Sequence, residues 1–273
     1  MSLHFSKYFQ AEVKPGFNTG ASIGTAFSDN DILFDWKEFH LPKGVCRISN
    51  ISGTIMGTNS AAGNSHDMIL YFARTIDGFG PSPFRTAHSA MTAFFATKLR
   101  PYLLGAINLD ESLITDGDHL IAYSVFNSNG QMGGRNFQPS VMLANSDGVV
   151  WNGELIDGSV VQDTSAPLGY DTFFVAAIAN GAFDFGTDVD LNQPGHQAAS
   201  TDPVQITTSG TDPRDVFAPG DVLITEGSNA RTADVVSVDS ATTMTIKNIS
   251  GIIDHQEQLV HLNPIVLNIG VEY

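Results

Sequence analysis

The sequence predicts an all-β protein: a jelly-roll-like antiparallel β-sandwich with one short helix and a small β module inserted before the last strand. Three observations predict it. Charged residues are only 15% of the 273-residue chain while Gly numbers 26, a composition of turns and uncharged polar surface rather than of helices. Apolar residues recur at period two in one segment after another, and Asp-Gly, Pro and Gly punctuate the gaps between them. Hydrophobic residues make up 42%, enough for a sizeable core, and the length suits one large β domain or two modest ones.

The elements follow in chain order. Residues 1–30, with "KPGFNTGASIGTAFSDND", hold scattered glycines and no sustained period. They read as an N-terminal arm with one or two short strands, of the kind that often crosses to a neighbouring subunit. In "ILFDWKEFHLPKGVCRISNISGTIMG", Ile32, Phe34 and Trp36 fall on one face at period two, Pro42 and Gly44 mark a turn, and a second strand follows. "MILYFART" is a dense apolar strand over 68–75. Within 81–105 the period changes: Ala87, Ala90, Met91, Phe94 and Phe95 recur at helical spacing and Pro101 ends the run, so one short helix is expected at about 87–99. Strands resume at "HLIAYSVFNS" (119–128), "VMLANS", "GVVWNGEL" and "DTFFVAAIANGAFDFG", with hairpin signals in "NSDGVV" and "LIDGSV". Seven or more strands punctuated this way point to a two-sheet sandwich.

Residues 188–219 are polar and rich in Pro, Gly and Thr, the strongest boundary in the chain. After it, "GDVLITEGSNARTADVVSVDSATTMTIKNIS" reads as strands over 221–225, 233–238 and 244–248, with Val235, Val236, Val238, Met244 and Ile246 as a small core. Alone such a unit is marginal. The last segment, "PIVLNIGVEY", alternates Ile265, Leu267, Ile269 and Val271 with Val266, Asn268, Gly270 and Glu272, one long strand with one core face. The expected organisation is therefore an arm over 1–30, a sandwich over 31–190 plus 261–273, and an inserted barrel-like module over 200–258 standing off the sandwich as a knob.

Chemistry is nearly silent. The single cysteine, Cys46, lies in a strand and reads as a buried small hydrophobe. His255 and His261 read as surface polar residues beside a strand. Asp184, Asp188, Asp190 and Asn192 alternate as calcium ligands can, but the turn glycine and the bidentate Glu of an EF-hand are missing, so a solvated acidic loop is the reading. "NSNGQMGGRN" lacks the GK[ST] of a phosphate loop, no G-x-S-x-G elbow occurs, and Asp110 and Glu111 are too close in sequence to share one strand face. Neither catalytic nor metal residues, nor a cofactor, are expected. Trp36 and Trp151 could stack on sugar rings, but burial is the simpler reading of both. The net charge of −16 argues against nucleic acid and against an anionic membrane surface. No apolar run reaches the length of a membrane span, and no signal peptide is evident.

The stretches "FDWKEFHLPKGVCRISNISGTIMG", "MILYFARTIDG" and "LLGAINLDES", with the late "GDVL" module and its "NPIVL" strand, resemble structural proteins of marine tailed bacteriophages, including those of cyanobacteria. The resemblance covers roughly 30–190 and 215–273. It implies a virion component made in the host bacterial cytoplasm, not an enzyme, and it carries over no functional residues. The expectation is a capsid decoration or cement protein bridging major capsid subunits, acting as a homo-oligomer with other virion proteins as partners. The alternative is a tail, neck or fibre-associated protein binding host-surface glycans. Asn127, Asn129, Arg135 and Trp151 in the sandwich loops, with Asn229 and Arg231 in the late module, are the candidate contact residues.

Overall fold

The computed structural model describes residues 7–16, 26–56, 67–76, 79–83, 89–90, 99–109, 114–116, 120–126, 142–144, 155–156, 159–160, 169–183, 185, 189–226 and 230–273. The fold is all-β, with two facing antiparallel sheets and a separate closed barrel.

The first sheet is built from β1 (Tyr8–Val13), β18 (Ile265–Glu272), β3 (Val45–Met56), β7 (Leu120–Phe126) and β6 (Ile114–Asp116), in that order, and β8 (Met142–Ala144) also pairs with β3. The second has the order β2 (Ile32–Pro42), β11 (Tyr170–Ala179), β4 (Met68–Arg74) and β5 (Leu103–Leu109). β9 (Leu155–Ile156) and β10 (Ser159–Val160) pair with each other antiparallel. The inner faces of the two sheets meet in one core. Ile51 and Ile55 of β3 and Leu267, Ile269 and Val271 of β18 join Leu41 of β2, Leu70 and Phe72 of β4, and Phe173 and Val175 of β11. The last strand alternates as its sequence requires: Ile265, Leu267, Ile269 and Val271 are all fully buried. Cys46 is also fully buried. Its Sγ approaches Pro42 O at 3.5 Å, and burial, aided by the charge of Asp171, pushes its thiol up to about 11.

Three expectations change. Ile32, Phe34 and Trp36 do not share a face. Two register shifts between β2 and β11 place Val175 opposite Lys37, Ala177 opposite Phe34 and Ile178 opposite Ile32, so β2 carries extra residues that reset its alternation. Phe34 enters the main core while Ile32 and Trp36 join a second cluster, with Leu99, Ala176 and Ile178, on the outer face of the second sheet. The described parts of the N-terminal arm are built into this same chain. β1 pairs with β18 from Tyr8 opposite Glu272 to Val13 opposite Leu267, and Phe27 bridges to Phe183 and packs edge-on against Phe185 at 5.7 Å. Of the helix expected at about 87–99, Ser89, Ala90 and Leu99 are described. Ala90 bridges to Asp31 and Ser89 O accepts from Ile32 N at 3.1 Å, so these two are not helical; Leu99 is, and the other positions lie outside the described residues. A described helix occurs elsewhere: α1 (Pro213–Val216), a single turn capped by Asp212, whose side chain accepts from Arg214 N at 3.0 Å.

Candidate interaction module

The late module is a closed six-stranded barrel. Its strands run β12 (Val189–Leu191), β13 (Val204–Gly210), β16 (Thr243–Lys247), β15 (Thr232–Ser240), β14 (Val222–Thr225) and β17 (Gln258–His261), and β17 returns to β12. It therefore spans 189–261 rather than 200–258. Two of its strands, β12 and β13, fall inside the polar 188–219 stretch that reads as a boundary, β13 within the expected module and β12 before it. β12 has only three residues and β13 buries only alternate ones, so a few inward residues such as Val189, Leu191 and Ile206 suffice for the core. Closure removes the open edges that a three-stranded unit would expose. The core is correspondingly larger than the sequence suggested, with Phe217, Leu223, Leu259, Ile249 and Ile253 added to Val235, Met244 and Ile246. Val236 is not part of it. Its side chain points outward and is 37% exposed.

The barrel does not stand off the sandwich. In β14 and β17 alternate residues serve different cores: Leu223 and Leu259 face into the barrel, while Ile224 and Val260 join the main sandwich core. Ala230 and Leu262 pack against the same cluster. The strands that lead into and out of the barrel lie side by side, Val189 opposite Leu259 and Asp190 opposite Gln258. The module is thus held by two adjacent strands and a shared apolar seam.

A polar pair sits at that joint. His261, at the end of β17, is 7% exposed, not a surface residue. Asn263 N–H donates to its Nδ1 at 3.0 Å, so in the neutral ring the proton sits on Nε2. That nitrogen lies 3.1 Å from Asp221 Oδ2, although its N–H is not in line with the oxygen. The Phe217 ring stacks parallel to the imidazole with centroids 6.2 Å apart. Asp221 also accepts from Ala218 N at 2.7 Å. Burial alone would raise its carboxyl, but the His261 ring, the Ala218 N–H and the charge of Lys14 outweigh that and hold it below its ordinary value. A carboxyl lowered in the folded state stabilises the fold above its unfolded pKa of about 4, and that stabilisation is lost as pH falls through the folded value. Asp221→Asn is expected to lower the melting temperature at pH 7. It should also make the melting temperature fall less steeply than in the parent on acidification below about pH 4. Thermal melts followed by circular dichroism at both pH values check this. The even His255–His261 spacing carried no information about the joint, because β17 begins at Gln258 and His255 lies exposed before it.

Of the candidate contact residues, Arg231 is described; Asn127, Asn129, Arg135, Trp151 and Asn229 lie outside the described residues, as do Asp110, Glu111, Asp184 and Asp188. Arg231 is half-buried. Its Nε and Cδ lie so close over Gly251 that a Cβ there would collide with them, and the Nε is buried without a hydrogen-bond partner. Trp36 is half-buried, donates from Nε1 to Ser82 O at 3.1 Å and packs on the outer cluster, so its ring is committed to structure. On the barrel surface, Asp239 accepts from Ser237, Gln205 and Thr245 at 2.7, 3.1 and 2.9 Å. These bonds tie three strands together and hold its carboxyl below the ordinary range. Among the described residues no cluster of three His, Cys, Asp or Glu could hold a metal ion, and no helix is long and apolar enough to cross a membrane.

No protein-family model matches this chain, and no curated protein matches its sequence.

Proposed function

We propose that the chain is a non-enzymatic structural protein of a virion, a capsid decoration or cement protein that bridges neighbouring major capsid subunits. The observation that carries the reading is the strand wiring of the sandwich and its packed seam with the barrel. Counting the eight principal strands β1, β2, β3, β4, β5, β7, β11 and β18 in chain order, first pairs with last, second with seventh, third with sixth and fourth with fifth. Such nested pairing is what a long antiparallel ribbon makes when it wraps into a jelly roll, an architecture used by viral capsid and lectin domains. The barrel is inserted between the seventh and eighth of these strands and shares an apolar seam with the sandwich. A body with two lobes joined through a packed apolar seam is suited to span two neighbours and spread load across them.

The charge supports the same reading. A net charge of −16 is tolerated outside a shell and disfavoured against packaged DNA. Fold alone does not establish function, so the deciding experiment is on particles. Immunogold labelling of purified particles of the virus that encodes this chain is expected to spread evenly over the heads. Particles lacking the protein are expected to lose their DNA at lower temperature than complete ones. Label confined to neck or tail, or absent from intact particles, would overturn the reading.

A further inference from the structure

The two sheets of the sandwich differ in what their outer faces carry. On the second sheet the outer face is covered by the chain itself. Ile32, Ala176 and Ile178 are buried there with Leu99, and Trp36, Ile69, Tyr71 and Leu103 pack against them. On the first sheet the register sets Gln10, Gly270 and Asn50 in one row, Glu12, Asn268 and Ser52 in the next, and Val266 with Thr54 in a third. Their neighbours in sequence, among them Ala11, Val13, Leu267, Ile269, Ile51 and Ile55, form the core, so this set faces away from it.

We propose that this outer face of the first sheet is where a second copy of the chain docks. The first argument is charge. The chain carries 29 acidic and 13 basic residues, so copies repel each other unless they meet where charge is absent or cancelled. The middle of the face is uncharged, and its described charges stand at the margins, already paired: Arg47 with Glu272 at one end, and Glu12 with Lys14 at 3.0 Å on the edge strand. Charge depletion at the centre is what separates interface cores from ordinary surface.

The second argument is self-complementarity. A symmetric contact between identical copies needs a patch that pairs with itself. Amides and hydroxyls donate and accept equally, so Asn50, Ser52, Thr54 and Asn268 can meet their own counterparts, as a patch of one charge sign cannot.

Shape and size agree. The space that a Cβ on Gly270 would take is filled by the Asn50 amide and the Tyr8 hydroxyl, which donates to Asn50 Oδ1 at 3.0 Å, and this bond fixes the local relief. Tyr8, 55% exposed, and Tyr273, 42% exposed, flank the end of the face, and Tyr is enriched at interfaces. Four strands about 4.8 Å apart, β1, β18, β3 and β7 with 6, 8, 12 and 7 residues rising about 3.4 Å each, give a flat footprint of roughly 500 Å². Side-chain relief brings this towards the roughly 800 Å² per partner of a standard interface.

The test is sedimentation equilibrium of the full chain at micromolar concentration. The parent is expected to sediment as a dimer or larger closed oligomer. Asn268→Glu, which places repelling charges at the centre, is expected to weaken association at least about tenfold. The new carboxylate also faces Glu12 across the β1–β18 pair, so the melting temperature falls modestly while the melt stays cooperative. A second variant covers the case in which Asn268→Glu unfolds. Because Cys46 is buried with its thiol pushed up to about 11, Ser52→Cys supplies the single reactive thiol, and a short bis-maleimide is expected to link copies through it. Lys247→Cys, exposed on the barrel, is expected not to link. A monomeric parent overturns the inference, as does an oligomer that withstands Asn268→Glu or links through Lys247→Cys and not Ser52→Cys. The proposed virion role does not depend on this contact and is decided separately by particle labelling.

Discussion

Excising residues 190–258 and joining Val189 to Leu259 through an Asn-Gly turn is expected to leave a folded sandwich with a lowered melting temperature. Val189 and Leu259 sit directly opposite each other in an antiparallel ladder, where facing Cα atoms are about 5 Å apart, a gap that a two-residue turn closes. The sandwich keeps its eight principal strands and its aromatic core. It loses Ile224, which is buried in that core from the barrel side, and with it about 1.5–3 kcal/mol of apolar burial. The shortened protein should retain a β-sheet circular dichroism spectrum and one cooperative melt. A non-cooperative melt, or loss of the β signal, would show that the two lobes fold only together. A cut at 200–258 is a worse test, because it leaves β12 without its neighbour β13 and removes Gln258 from β17.

Phe39→Ala is expected to cost about 3–5 kcal/mol of stability, a large share of the roughly 5–15 kcal/mol that holds a typical domain folded. Phe39 is 4% exposed. Its ring lies edge-on to Phe72 at a centroid distance of 6.4 Å and tilted against Phe173 at 6.1 Å. Phe72 belongs to β4 and Phe173 to β11, so the cavity would open beneath three adjacent strands of the second sheet. Val236→Ala, on the exposed side of β15, is the matched control and should change stability by no more than about 0.5 kcal/mol. Urea unfolding of both variants decides it. Equal losses would mean that the barrel exterior carries as much of the stability as the sandwich core.

The all-β class and several strand positions were legible in the sequence because they depend on local pattern. Ile265, Leu267, Ile269 and Val271 alternate with polar or small residues, and a strand with period two has no other way to bury them together. The module strands expected over 221–225, 233–238 and 244–248 correspond to Val222–Thr225, Thr232–Ser240 and Thr243–Lys247, since tight turns and β-branched runs mark them directly. Cys46 declared its burial through its apolar neighbours.

What the tertiary structure alone decided depends on pairing between distant residues. Alternation cannot report the extra residues in β2, because register is set by β11, more than 130 positions away. The barrel's limits were hidden because β12 and β17 are three and four residues long, too short to show a period. Each is held by its partners rather than by its own propensity. Ile224 and Val260 looked like ordinary strand residues, and only the docking of two lobes shows that they serve the other lobe's core. His261 read as surface because histidine is polar. It is buried because Asp221 and Asn263 supply its polar contacts at a joint that no local stretch of sequence describes.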